Sequence, residues 1–282
     1  MSHFTVMIIG PDPDGQLAKY DEGLDGPKRF VNVVSQEEKK SFIDFYIDKH
    51  PERAGQTFEE LYEEFGYSWN GNTWELNSET GEYEDYTTYN EDSKWDWYCI
   101  GGRWAGFLRL KNPNQVIHGD QALKGEIDFE GMKDEAGEEA RETYEKAANA
   151  FGGVIPTLDY SWNTIVEEKD PIFVGMEIDK KRNFYHNQPA MLEAKKHTDV
   201  LGHFFDFDDY QCTLEEFVER ARNNALSTYA YVKDGEWIGK GDMGWWGMSS
   251  NDEDQNVWNG KMVKLLEELP DDTLITIMDC HI

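Results

Sequence analysis

Two short stretches carry the residues whose types and spacing suit chemistry: Lys94–Trp104, which reads KWDWYCIGGRW, and Asp279–Cys280–His281 at the end of the chain. The first gathers Trp95, Trp97, Tyr98 and Trp104 around Gly101 and Gly102, with Arg103 directly after the glycines. Flat aromatic rings stack on planar ligands, and an arginine beside glycines can reach an anion such as a phosphate. The second stretch sets Asp279 and His281 two residues apart, so in a strand both point to one face and Cys280 to the other. A histidine oriented by a carboxylate is a general acid–base group, which makes Asp279 and His281 the candidate catalytic pair. A further aromatic–glycine cluster, Gly244–Trp245–Trp246–Gly247, supplies a third wall for a ligand pocket. The same residues also read as plain architecture: aromatic core, a β-bulge at the glycines, Arg103 paired with an acid, and an ordinary His–Asp hydrogen bond.

Other chemistries are poorly marked. The chain has no Walker A, no GxGxxG after a strand, no HExxH and no GxSxG elbow. His203 stands near three carboxylates in HFFDFDD, but neither a second histidine nor ligand spacing marks a metal site. Asp12 and Asp14 beside Gly15 lack the later positions of a calcium loop. The cysteines Cys99, Cys212 and Cys280 are too scattered for a disulfide framework or a CxxC site. No cofactor is indicated.

Composition narrows the partners. The 282 residues carry 57 acids against 27 bases, a formal net charge of −30, and 14% are aromatic. Such a chain folds, since disordered sequences are aromatic-poor. Its acidity repels phosphate backbones and anionic lipid, so direct nucleic-acid or membrane binding is not expected. The acids are spread along the whole chain, which reads most simply as solubility. No apolar run reaches the ~20 residues needed to span a membrane. MSHFTVMIIG lacks a basic region and a small-residue cleavage site, so the expected location is cytoplasmic.

The elements that must position these groups are legible in outline. Phe4–Ile9 and TLITIMDCHI are apolar β-type runs at the two ends, and the simplest closure pairs them in one sheet. An antiparallel, end-to-end pairing need not bring His3 beside His281, whereas a parallel or offset one could. Ser35 with Glu38, Thr57 with Glu60 and Thr213 with Glu216 are capping boxes opening helices. Helices are also expected at 128–151, with Met132, Ala136, Ala140, Tyr144 and Ala148 as a packing stripe, at 188–197, and around Trp258–Leu269. Strands are expected at Trp104–Leu110 (WAGFLRL) and Pro171–Ile178 (PIFVGMEI), with a turn at DKKRN and a hairpin about Asp234–Gly235. The reading is one α+β domain, 1–282, with a mixed or antiparallel sheet holding both termini under amphipathic helices. Region 67–93 is taken as an inserted hairpin or loop.

MSHFTVMIIG, YNEDSKWDWYCIGGRWAGFLRL, DQALKGEIDFEGMKDEAG, DGEWIGKGDMGWWG and LPDDTLITIMDCHI together resemble a family of uncharacterised proteins encoded by tailed bacteriophages and prophages. The resemblance spans nearly the whole chain, with 67–93 matching least. It implies a phage origin and the cytoplasm of an infected host, but no assigned activity. The chain has none of the heptads or repeats of fibre proteins, which points away from the virion. The leading expectation is a non-enzymatic host-interaction factor that sequesters a small anionic, nucleotide-type molecule or blocks a host defence protein. An enzyme acting on a nucleotide or related small molecule is the alternative. An acidic mimic of nucleic acid is the second.

Overall fold

The computed structural model describes residues 2–69, 72–115, 120–202, 205–244 and 248–282, with the side chain of Trp69 excepted. The strands are β1 (His3–Ile9), β2 (Arg29–Val33), β3 (Ser68–Trp69), β4 (Asn72–Leu76), β5 (Tyr83–Thr87) and β6 (Trp97–Ile100). They continue with β7 (Gln121–Leu123), β8 (Ala230–Lys233), β9 (Glu236–Gly239), β10 (Asp242–Met243), β11 (Ser249–Ser250) and β12 (Leu274–His281). Helices α1 (Pro13–Leu17), α2 (Gln36–Lys49), α3 (Phe58–Phe65), α4 (Phe129–Ala150) and α5 (Trp162–Val166) come first. α6 (Ile178–His186), α7 (Pro189–Ala194), α8 (Thr198–Leu201), α9 (Leu214–Asn224) and α10 (Gln255–Glu268) follow. The class is α+β, with both terminal strands in one mixed sheet.

Contacts gather into two compact units where the sequence reads as one domain. The first comprises Met1–Ala105, Tyr229–Asn251 and Ile275–Ile282. Its main sheet runs β6-β12-β1-β8-β9, with β1 antiparallel to β12 and parallel to β8. Apart from their first residues, β1 and β12 are buried throughout, as strands covered on both faces must be. One face carries Phe4, Val6, Ile8, Met278, Cys280, Ala230 and Val232 into a core with Leu17, Tyr20 and Trp95. The β8–β9 turn places Asp234 at φ 53° and Gly235 at φ 74°, the positive angles that a two-residue hairpin requires.

Within the same unit, β2-β5-β4-β3 form a separate antiparallel sheet. Region 67–93 thus supplies three of that sheet's four strands, and β2 joins from outside it. The capping boxes of Ser35 and Thr57 close as read, starting α2 and α3, and the two helices share a core with Val34 and Trp74.

The second unit is Gly106–Thr228 with Asp252–Leu274. Here α4 packs on α9, and Gly137 makes the approach possible: a Cβ there would stand 3.1 Å from Arg222 Cγ. The buried face of α4 is Met132, Gly137, Ala140 and Ala147 rather than the expected every-fourth stripe, in which Ala136 and Ala148 are half-buried. At 3.6 residues per turn, a spacing of four drifts off the face.

Two expected strands do not form. Trp104–Leu110 follows a single 3-10 turn (Gly102–Trp104), because Gly101, Gly102 and Gly106 take φ of 71°, 52° and 89°. PIFVGMEI is a 3-10 turn at Pro171–Phe173, and the DKKRN expected as a turn lies in α6. Only Phe173 of that run is fully buried, so the apolar stretch caps a core instead of crossing it. Among the described residues, no helix is long and apolar enough to cross a membrane.

Candidate functional site

Pairing in the main sheet aligns the chemistry-bearing residues. His3 stands opposite His281, Thr5 opposite Asp279, and on the far side of β12 Asp279 faces Cys99 and His281 faces Trp97. Cross-strand partners share a face, so His3, Asp279, His281, Trp97 and Cys99 lie together on the face opposite Cys280. The antiparallel register does bring His3 beside His281, an adjacency that the sequence reading does not require of an antiparallel pairing. In an antiparallel pair the start of one strand meets the end of the other, so adjacency follows once the register is flush.

Each histidine has its own acid. His3 Nδ1 donates to Asp279 Oδ1 at 2.7 Å, and His281 Nδ1 donates to Asp96 Oδ1 at 2.6 Å. Asp279 and His281 do share a face, as the spacing requires, but they are not a hydrogen-bonded dyad. Asp279 is 2% exposed and its other oxygen accepts from the Arg103 backbone N–H at 2.9 Å. That bond needs Gly102: at φ 52° it passes so close that a Cβ would lie 2.3 Å from Asp279 Oδ2. The turn after β6 is thus tied to β12 by the Asp279 side chain, and Gly101 N–H continues the ladder to Ile277 O.

Trp97 lies flat against His281, with centroids 5.2 Å apart and planes 14° apart, while His3 meets both rings edge-on. Trp97 remains 41% exposed, whereas His281 is 6% exposed and its Nε2 is buried without a hydrogen-bond partner. Arg103 is exposed, since its contact with Asp279 uses the backbone. Nearby, Glu22 has its carboxyl pushed up by burial and by the charges of Asp96 and Asp21. Cys99 is exposed, yet burial of its surroundings and the Asp279 charge raise its thiol above the usual range.

The remaining sequence candidates separate. Trp95 is a core residue, 7% exposed, whose indole N–H donates to Leu17 O. Tyr98 points to the same core, and its hydroxyl donates to Asp14 Oδ1, so burial and that carboxylate hold the phenol well above its ordinary value. Trp104 is half-buried in the 3-10 turn. Trp245 and Trp246 lie outside the described residues, as does His203. Among the described residues there is no group of three His, Cys, Asp or Glu arranged to hold a metal ion. Asp208 is engaged in another way: it accepts from the Trp162 backbone N–H.

Sequence reading missed Asp96 and His3 as partners, although both were in view. The signal for His3 is its place in the first strand, one residue before the apolar run. It also missed a cleft of about 660 Å³ in the first unit, lined by Phe42 of α2, Trp74 of β4, Asp85 of β5 and Tyr67 just before β3, among others.

No match identifies the chain. Comparison with protein-family models, with curated proteins and with solved structures finds none that matches it.

Proposed function

We propose that this chain is a phage-encoded host-interaction protein that binds, and does not turn over, a planar anionic ligand of nucleotide type. One observation carries the choice of binding over catalysis. The histidine best placed to be a general base is closed off, with Nε2 of His281 buried beneath a tryptophan whose outer surface is open. A general base must come within ~3 Å of the proton it takes, directly or through one water. An exposed indole backed by a pinned imidazole is instead a preorganised stacking surface, which lowers the ordering cost of capture.

In this reading the planar part of the ligand covers Trp97 and its anionic part goes to Arg103, away from Asp96 and Glu22. Sequestration of a nucleotide signal would then deprive a host defence system of its trigger. Isothermal titration with linear and cyclic nucleotides tests this. Trp97→Ala and Arg103→Ala are each expected to weaken binding at least ~10-fold, while His281→Gln retains it and no bound nucleotide is converted to product. Conversion of a nucleotide by the wild type but not by His281→Gln would replace this reading with the enzymatic one.

A further inference from the structure

The cleft between α2 and the β2-β5-β4-β3 sheet combines two features that belong together in only a few kinds of site. Its walls are aromatic: Phe42, Phe45, Tyr46, Tyr67 and Trp74 line a space of about 660 Å³, within the range of small-molecule sites. Tyr67 lies on Trp74 with centroids 4.1 Å and planes 16° apart, which fixes both rings. The charged groups lining it are all acidic, namely Glu37, Glu38 and Asp85.

Asp85 is the residue that calls for an explanation. It is 7% exposed, and only one of its oxygens is engaged, Oδ2 accepting from the Asn72 amide at 3.3 Å. Oδ1 is buried with no hydrogen-bond partner. Burial pushes the Asp85 carboxyl up, Glu38 adds to the rise, and Asn72, the Tyr86 backbone and the Trp74 indole oppose it. Glu38 itself is held low by the Ser35 hydroxyl and backbone in the capping box, so its charge persists beside the cleft. A buried carboxylate with a free oxygen is costly unless a donor or a cation meets it.

Aromatic faces attract cations through their quadrupole, and this lobe already uses that contact internally. Lys49 Nζ stands 4.0 Å from the Phe45 ring centre, and Lys39 Nζ lies over Phe58 and Tyr83. Neither lysine lines the cleft.

We propose that this cleft is a binding site for a small protonated amine with an apolar body, whose N–H donates to the Asp85 carboxylate while its body lies among Phe42, Phe45, Tyr46, Tyr67 and Trp74. An anion would meet three carboxylates there, so the site is independent of the Trp97 surface and takes ligands of the opposite charge.

Titration calorimetry on the whole chain tests it with four probes of similar shape: phenethylammonium, phenyltrimethylammonium, 2-phenylethanol and 3-phenylpropionate. Phenethylammonium should bind saturably, the neutral alcohol at least ~10-fold more weakly, and the carboxylate not at all. Asp85→Asn, which keeps the shape and one acceptor, should weaken the amine on the order of 30-fold and leave the alcohol unchanged. Phe45 is half exposed and tolerates change, so Phe45→Leu should fold normally and weaken the amine several-fold. Trp97→Ala should leave amine binding intact, which separates failure of this site from failure of the Trp97 reading. Equal affinity for amine and alcohol, or an Asp85→Asn variant that binds the amine like wild type, would overturn the proposal. Phenyltrimethylammonium has no N–H, so equal binding of that probe would overturn the hydrogen bond to Asp85.

Discussion

His3 and His281 face each other across β1 and β12 with ring centres 5.1 Å apart, yet they answer to different carboxylates, His3 to Asp279 and His281 to Asp96. Two acid–imidazole pairs side by side give a polar layer on one face of a sheet whose other face is apolar core. Three of these groups, His3, Asp279 and His281, come from the first and last strands and one, Asp96, from the segment before β6, so the layer also fastens these two strands together.

The two acids should therefore differ in weight. Asp279 is buried and holds both His3 and the Arg103 backbone, whereas the Asp96 side chain is 31% exposed and so within reach of water. Asp279→Ala is expected to cost about 3 kcal/mol in urea unfolding, and Asp96→Ala about 1 kcal/mol or less, because water replaces the lost acceptor. Equal losses would contradict this division.

Gly102 should be irreplaceable by a residue as small as alanine. The substitution meets a positive φ and a Cβ position 2.3 Å from a carboxylate oxygen. Gly102→Ala should lower stability by about 2–3 kcal/mol. Gly55→Ala, also at a positive φ (97°) but in open space, should cost less in the same denaturation series.

The thiols should be slow for different reasons. Cys99 is accessible but held protonated by its partly buried setting and the Asp279 charge, while Cys280 is buried and raised by burial first. With Ellman's reagent at neutral pH, Cys99 should react slowly and gain rate as pH rises, since the thiolate is the nucleophile. Cys280 should react only after denaturation. Immediate stoichiometric labelling of Cys99 at neutral pH would show that its thiol is not raised.

Asp85 sets a signed pH dependence. Its folded pKa lies above the unfolded value, so the folded state binds the proton more tightly. Stability from this group is therefore greatest below the unfolded carboxylate pKa, and it falls as pH rises through the folded one. Asp85→Asn removes that loss. The variant should be more stable than wild type above the folded pKa, and the advantage should shrink as the solution is acidified. Thermal melts across pH 3–8 check the sign. An advantage that grows on acidification would contradict it.

What could be read from the sequence was local. Ser35/Glu38, Thr57/Glu60 and Thr213/Glu216 announce helix starts because each box closes within four residues, and Asp234–Gly235 announces its hairpin for the same reason. Alternation placed Asp279 and His281 on one face without revealing their partners, since His3–Asp279 spans 276 positions and His281–Asp96 spans 185. Trp95 and Trp97 looked equivalent, but β6 begins at Trp97, so the strand period does not extend to Trp95 and it turns into the core. Asp85 was invisible as a site residue, because nothing in YEDYT tells which acid is buried.

The central claim is that Trp97 and Arg103 form a capture surface rather than part of a catalytic centre. Isothermal titration of a nucleotide panel into the wild type and into Trp97→Ala, with the recovered nucleotide then analysed by mass, tests it most directly. The account predicts saturable binding by the wild type, loss of at least ~10-fold in the variant, and nucleotide recovered unchanged. No binding by any member of the panel, or binding indifferent to Trp97, would contradict it.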